Sequence, residues 1–290
     1  IMGLVKDEIP ESKLPEKTPD YLAVTNGERF IHTNNCLGCH KIDGEGGAIW
    51  PSTANWLEEI AGSENSEDLS IVQNFSPPLL NTEGKKVQPD WLLNWFQNIS
   101  MIRPHLQVRM PSYDFTHEEW NSIISYFQSK DGLSLKYENP HNFSKTSDSY
   151  KAGIKIQEEG ACINCHFYGE MKPRQDALTW APNLVLTKER LRPEWLIDWF
   201  KNPQTVMPGT KMPAPYIPVD ESISDIKEYW GDEVASFIGD TTGMLYGLID
   251  WMWGLDGKED VSVIVKEHLD NQGYGFILDD EDDEWGDDEW

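Results

Sequence analysis

Cys36-Leu37-Gly38-Cys39-His40 and Cys162-Ile163-Asn164-Cys165-His166 use all four cysteines of the 290-residue chain. Each stretch has the Cys-x-x-Cys-His form of a covalent haem attachment site. The two thiols add to the vinyl groups, and the adjacent histidine is carried beneath the porphyrin, where its imidazole binds iron. Two Cys-x-x-Cys pairs also suit a structural zinc site, and one alone suits a redox dithiol, but neither needs a histidine directly after the second cysteine in both copies. The motifs are therefore read as holding two haem c groups, through Cys36, Cys39, Cys162 and Cys165, with His40 and His166 as axial ligands. No thiol remains for a structural disulfide or a catalytic cysteine.

The motifs lie 126 residues apart, and setting them in register brings Gly27 onto Gly153 and Phe30 onto Ile156. The segments that lead into the cysteines, Tyr21 to Asn35 and Tyr150 to Ala161, space their apolar residues along one helix face. A glycine inside a helix costs about 1 kcal/mol relative to alanine, so its recurrence points to the close approach of another helix. Downstream, Pro78, Pro89, Trp91, Leu92, Trp95 and Phe96 repeat as Pro182, Pro193, Trp195, Leu196, Trp199 and Phe200. Pro89-Asp90-Trp91 and Pro193-Glu194-Trp195 read as helix starts, with proline in the first turn and an acid at the positive end of the dipole. The aromatic residues that follow at helical spacing are expected to pack in the core, against the haem rim.

The third shared element is Arg109-Met110-Pro111 in one half and Lys211-Met212-Pro213 in the other. Methionine sulfur is a soft donor suited to haem iron, and a following proline stiffens the loop that presents it. Met110 and Met212 are the expected distal ligands. His105 and Met207 are their rivals, each five residues earlier in the same loop. A two-residue insertion in the first loop would pair Arg103-Pro104 with Met207-Pro208, which puts Met207 at an arginine position.

A closing helix is expected at Thr116 to Gln128 in the first half, where Trp120, Ile123, Ile124 and Phe127 form a stripe. In the second half the matching stretch is Thr242 to Trp253, preceded by an inserted acidic helix and turn from Asp220 to Asp240. The expected organisation is an arm or tether over 1–20, domains over 21–130 and 150–255, a polar linker over 131–149 and an acidic tail over 256–290. Nine of the last twelve residues are carboxylates, interleaved with Trp285 and Trp290, a mix suited to docking on a basic partner or back on the chain's own surface.

Fifty acidic residues against 24 basic ones give a formal charge of −26. That balance disfavours nucleic acid and anionic membranes and favours basic redox proteins, or a basic docking face on a membrane oxidoreductase. No run of 18 apolar residues is present, so this chain is expected to contain no membrane-spanning segment. Its opening, Ile1-Met2-Gly3-Leu4, lacks the basic and apolar regions of a signal peptide. The expectation is a processed chain, or the soluble portion of a longer one whose anchor is removed or missing.

Taken in order, the haem motif, proline loop, Trp-rich helix, Met-Pro and terminal helix of each half resemble the class I cytochrome c domain, here in tandem over roughly residues 20 to 130 and 147 to 255. The resemblance implies an all-α fold of two haem-centred domains, in which the first and last helices of each cross and one haem edge is exposed. It also implies maturation outside the cytoplasm, in the periplasm or on the outer face of a membrane. The expected function is relay of single electrons by a dihaem c-type cytochrome, not catalysis. The alternatives are a fixed cytochrome subunit of a respiratory or photosynthetic complex, and a dihaem peroxidase. The peroxidase needs a haem with an open position, whereas both loops here offer methionine.

Overall fold

The computed structural model describes residues 16, 18–63, 67–103, 106, 109–218 and 223–272. Most of the expected N-terminal arm, the rival ligand His105 and the tail with Trp285 and Trp290 lie outside the described residues. The first half contains α1 (Pro19–Thr33), α2 (Trp50–Ala61), α3 (Leu69–Phe75), α4 (Pro89–Gln97) and α5 (His117–Lys130). The second contains α6 (Asp148–Gly160), α7 (Pro193–Lys201), α8 (Ile223–Ala235), α9 (Thr241–Trp253) and α10 (Ser262–Gln272). Among the described residues, paired strand is confined to the two-residue hairpin Lys41–Ile42 and Glu45–Gly46.

Local sequence sets the helix ends. Thr18 caps α1 by accepting from the Tyr21 N–H, with Pro19 in the first turn. Thr116 and Glu119 form a reciprocal capping box on α5, two orphan donors being satisfied at once. Ser147 caps α6 through the Tyr150 N–H. In each half the first helix then crosses a later one, α5 or α9, at a glycine. Gly27 of α1 sits against the Ser122 carbonyl and Tyr126 Cβ of α5, and Gly153 of α6 sits directly on the backbone of Gly247 in α9. The recurrence of glycine in the repeat thus has a packing cause: the helix axes are too close for a side chain.

The apolar stripes close two cores. Ile31, Leu92, Phe96, Trp120, Ile123, Ile124 and Phe127 fill the first, with Phe96 stacked on Trp120 at 4.3 Å between centroids. Ala152, Ile156, Leu196, Phe200, Met244, Leu245, Leu248 and Ile249 fill the second. Full burial of each large side chain contributes on the order of 1.5–3 kcal/mol. The inserted helix α8 is not merely an acidic surface element, because Ile226, Trp230 and Val234 are buried in that same core; it turns at Gly231, whose φ of 83° suits glycine.

One segment differs from its expected form. The stretch from residue 256 was expected to be an acidic tail, yet α10 lies within it, with Val261, Val265 and Leu269 buried against Phe167 and Trp180. Net charge hid an i, i+4, i+8 stripe. The polar stretch 131–149, expected as a linker, is anchored to the second half. His141 Nε2 lies 2.6 Å from Asp250 Oδ1, and its ring stacks on Tyr246 at 4.8 Å. Asp250 is 1% exposed and also accepts from the hydroxyls of Ser147 and Ser149. Asp250→Ala removes the buried acceptor shared by three half-buried side chains, and should lower unfolding free energy by about 3 kcal/mol in urea titration.

The halves meet along a seam made of equivalent repeat positions. Val87 bridges Leu191 antiparallel, the Gln88 N–H donates to the Arg190 carbonyl at 2.8 Å, and the Arg192 N–H donates to the Lys86 carbonyl at 2.9 Å. Residues 86, 87 and 88 each lie 104 positions before 190, 191 and 192, so the contact is close to two-fold symmetric. Trp56 of α2 adds to it by packing against the Phe167 and Trp180 cluster.

Candidate functional site

Each attachment motif is folded the same way. Asn35 (φ 53°) and Ala161 (φ 48°) take left-handed conformations that end α1 and α6 and turn the chain into short 3-10 helices, Cys36–Gly38 and Cys162–Asn164. Within the turn, the His40 N–H donates to the Cys36 carbonyl at 2.9 Å and the His166 N–H to the Cys162 carbonyl at 3.0 Å. The histidine is thus locked one turn from the first cysteine in both halves.

The rings are oriented by the repeated prolines. His40 Nδ1 lies 2.9 Å from the Pro78 carbonyl, and His166 Nδ1 lies 2.8 Å from the Pro182 carbonyl. A carbonyl only accepts, so Nδ1 carries the proton and the Nε2 lone pair is left for a metal, a tautomer fixed by the partner of the opposite nitrogen. Burial pushes both imidazoles below their ordinary range, which keeps them neutral. Burial likewise raises the Cys36, Cys162 and Cys165 thiols. The proline loops are tied to the motifs in turn, by the Leu80 N–H to the Lys41 carbonyl at 2.9 Å and the Ala181 N–H to the Cys165 carbonyl at 2.8 Å.

Met110 packs on the first core with Cys36, Leu37, Trp91 and Trp95, and Met212 on the second with Cys162 and Trp199. The indole N–H of Trp199 lies 2.8 Å from Met212 Sδ and holds that sulfur in place. Met207 is instead part of the loop turn, its N–H bonded to the Pro203 carbonyl and its carbonyl to the Thr210 N–H. The repeated tryptophans stack in both halves, Trp91 on Trp95 at 6.0 Å and Trp195 on Trp199 at 5.0 Å. The orienting role of the Pro78 and Pro182 carbonyls was missed in the sequence, although both prolines were visible as repeat positions.

Each half therefore offers two thiols, an imidazole whose Nδ1 is committed to a carbonyl and, on the same core as the first cysteine, a thioether, donors whose chemistry fits covalent haem. Residues 24–131 match the family model for cytochrome c. The first half is a c-type cytochrome domain. That match implies covalently bound haem c in this segment. The chain is 27% identical to the C subunit of nitric oxide reductase from Halomonas halodenitrificans over 41% of its own length and 66% of the relative's. It is 31% identical to cytochrome c oxidase subunit 2 of Bacillus subtilis over 28% of its length and 26% of the relative's. No solved structure matches. Among the described residues no helix is long and apolar enough to cross a membrane.

Proposed function

We propose that both halves of this cytochrome carry haem c and that the chain relays single electrons between them and their redox partners, outside the cytoplasm. The observation that supports a second haem is the repeated placement of histidine: His166 has the same turn to its cysteine and the same proline-carbonyl partner as His40. In this reading Cys36 and Cys39 hold one group and Cys162 and Cys165 the other, with His40 and Met110, and His166 and Met212, as the axial pairs. When bound, haem c supplies a one-electron Fe(III)/Fe(II) couple. The chain's own contribution is to fix the imidazole tautomer, to present soft sulfur, to exclude water with its two aromatic cores and to hold the two sites at a fixed separation through the seam.

The acidic surface draws in a basic partner from a distance and sets the approach rate more than the final affinity. The names of the two relatives favour one version of this role, in which the chain is a cytochrome subunit of an oxidoreductase and its partner is a neighbouring subunit. Intact mass and haem content of the purified protein test the proposal. Two haems per chain are expected, falling to one in Cys162→Ala/Cys165→Ala. A wild-type mass that holds a single haem defeats the two-centre relay.

A further inference from the structure

The repeat is broken between the attachment motif and the proline loop. His40 and Pro78 are 38 residues apart but His166 and Pro182 only 16, so the first half carries 22 extra residues, and α2 and α3 lie in that stretch. Ile71, Val72 and Phe75 of α3 are buried with Leu57 of α2 and with Leu106, which fixes the insertion to the first half. Its other contacts are with the second half. Leu178 packs against the same cluster, and Asn74 Nδ2 lies 3.4 and 3.3 Å from the Leu178 and Trp180 carbonyls.

Those two carbonyls belong to the segment that orients His166. The next N–H, that of Ala181, donates to the Cys165 carbonyl, and the Pro182 carbonyl accepts from His166 Nδ1. The same helix also reaches the loop that presents Met212. The Gln73 carboxamide lies against Gly209, where a Cβ would come within 2.7 Å of its Oε1. Asp68 caps α3 with Oδ1, which accepts from the Ser70 N–H at 2.8 Å, while its Oδ2 lies 3.8 Å from Nζ of Lys211, the residue before Met212. Because the cap already fixes this carboxylate, pairing with Lys211 costs less side-chain entropy than an ordinary surface pair. Within the second half the loop is tied by Gln204, whose Oε1 accepts from the Gly209 N–H at 3.2 Å, and by the Trp199 indole at Met212 Sδ. One helix of the first half therefore touches the second half's donor set on both sides, behind the histidine and beside the methionine.

We propose that Asp68, Gln73 and Asn74 of α3 are positioning residues for the second half's site: the first half's insertion fastens the segment behind His166 to the loop that presents Met212, and so holds that methionine against displacement. This deepens the two-haem reading and rests on it. The second site is then complete only while the halves are docked. The dependence runs one way, because the shorter proline loop of the second half has no counterpart of α2 and α3 to offer the first.

The test is cyanide titration of the full-length ferric holoprotein, with haem content verified by mass. Cyanide takes the iron only where methionine has left it, so its apparent affinity scales with the fraction of molecules whose loop is open. Asp68→Asn/Gln73→Ala keeps a capping residue and a good helix former in α3. It should raise the cyanide affinity of the second centre about fivefold and leave the first unchanged. Met212→Ala, in which no methionine competes, identifies the phase that belongs to the second centre. Lys211→Gln should give part of the same rise, and should add nothing once Asp68 is Asn, because the two residues act as a pair. Should the double variant not accumulate with both haems, Lys211→Gln alone supplies the readout from the second half. A wild type that lacks the second haem, or its near-infrared methionine band, overturns the two-haem reading and this proposal with it. With both haems and both bands in place, an unmoved cyanide affinity at the second centre overturns the proposal alone, and so does an equal rise at both centres, which would mark a general loosening of the fold.

Discussion

Gly153→Ala is expected to destabilise the second half by about 3 kcal/mol, a large fraction of what holds a domain together. The new methyl group would collide with the carbonyl oxygen and carbon of Gly247, and it would come within 3.1 Å of the Leu248 nitrogen. These atoms are helix backbone, so no rotamer change relieves the clash, and α6 and α9 must part. The roughly 1 kcal/mol that alanine returns through helix propensity does not offset that separation. Parting them also opens the contacts of Ala152 and Ile156 with Met244, Leu245 and Leu248, all at most 3% exposed. Gly27→Ala should act in the same direction on the first half, through Tyr126 and Ser122 of α5. Urea unfolding followed by far-ultraviolet dichroism measures both, and an unchanged midpoint for Gly153→Ala would show that the helices are not in backbone contact.

What could be read from the sequence follows from the range of the chemistry involved. Attachment of haem demands cysteines and histidine at fixed local spacing, so Cys36 to His40 and Cys162 to His166 are legible without a fold. The crossing glycines are legible because the chain repeats, and each copy supports the other. Asp250 and His141 are 109 residues apart, and no local pattern links them. Val87 and Leu191 form a bridge of one residue each, too short for any periodicity to announce. The stripe Val261, Val265, Leu269 has a helical period, but its acidic neighbours lower the mean hydropathy of the segment and conceal it. The family match covers 24–131, while the second half departs from the compact pattern through α8 and α10, both of which are packed into its cores.

Met110→Ala and Met212→Ala should produce the largest changes in the redox behaviour. Under the proposed ligation each removes the only soft donor from its iron, and with it the preference for Fe(II) that sulfur confers over nitrogen or oxygen ligands. The potential of the affected centre should fall by well over the 59 mV that a tenfold change represents for one electron, while the other centre moves little. The near-infrared band that arises from methionine bound to ferric haem should vanish for one centre only. Met207→Ala is the control: its loop position, held by Pro203 and Thr210, keeps it in the turn, and both band and potential should survive its loss. Trp199→Phe adds a graded case. It deletes the indole N–H 2.8 Å from Met212 Sδ while keeping an aromatic ring in the core, so Met212 stays bound with a freer sulfur. A smaller shift in the same centre as Met212→Ala, with the band retained, is the expected outcome. If the wild-type protein showed that band for one centre only, and His105→Ala moved the potential of the other while Met110→Ala did not, the first iron would have nitrogen on both faces, and the two halves would differ in ligation as well as in charge.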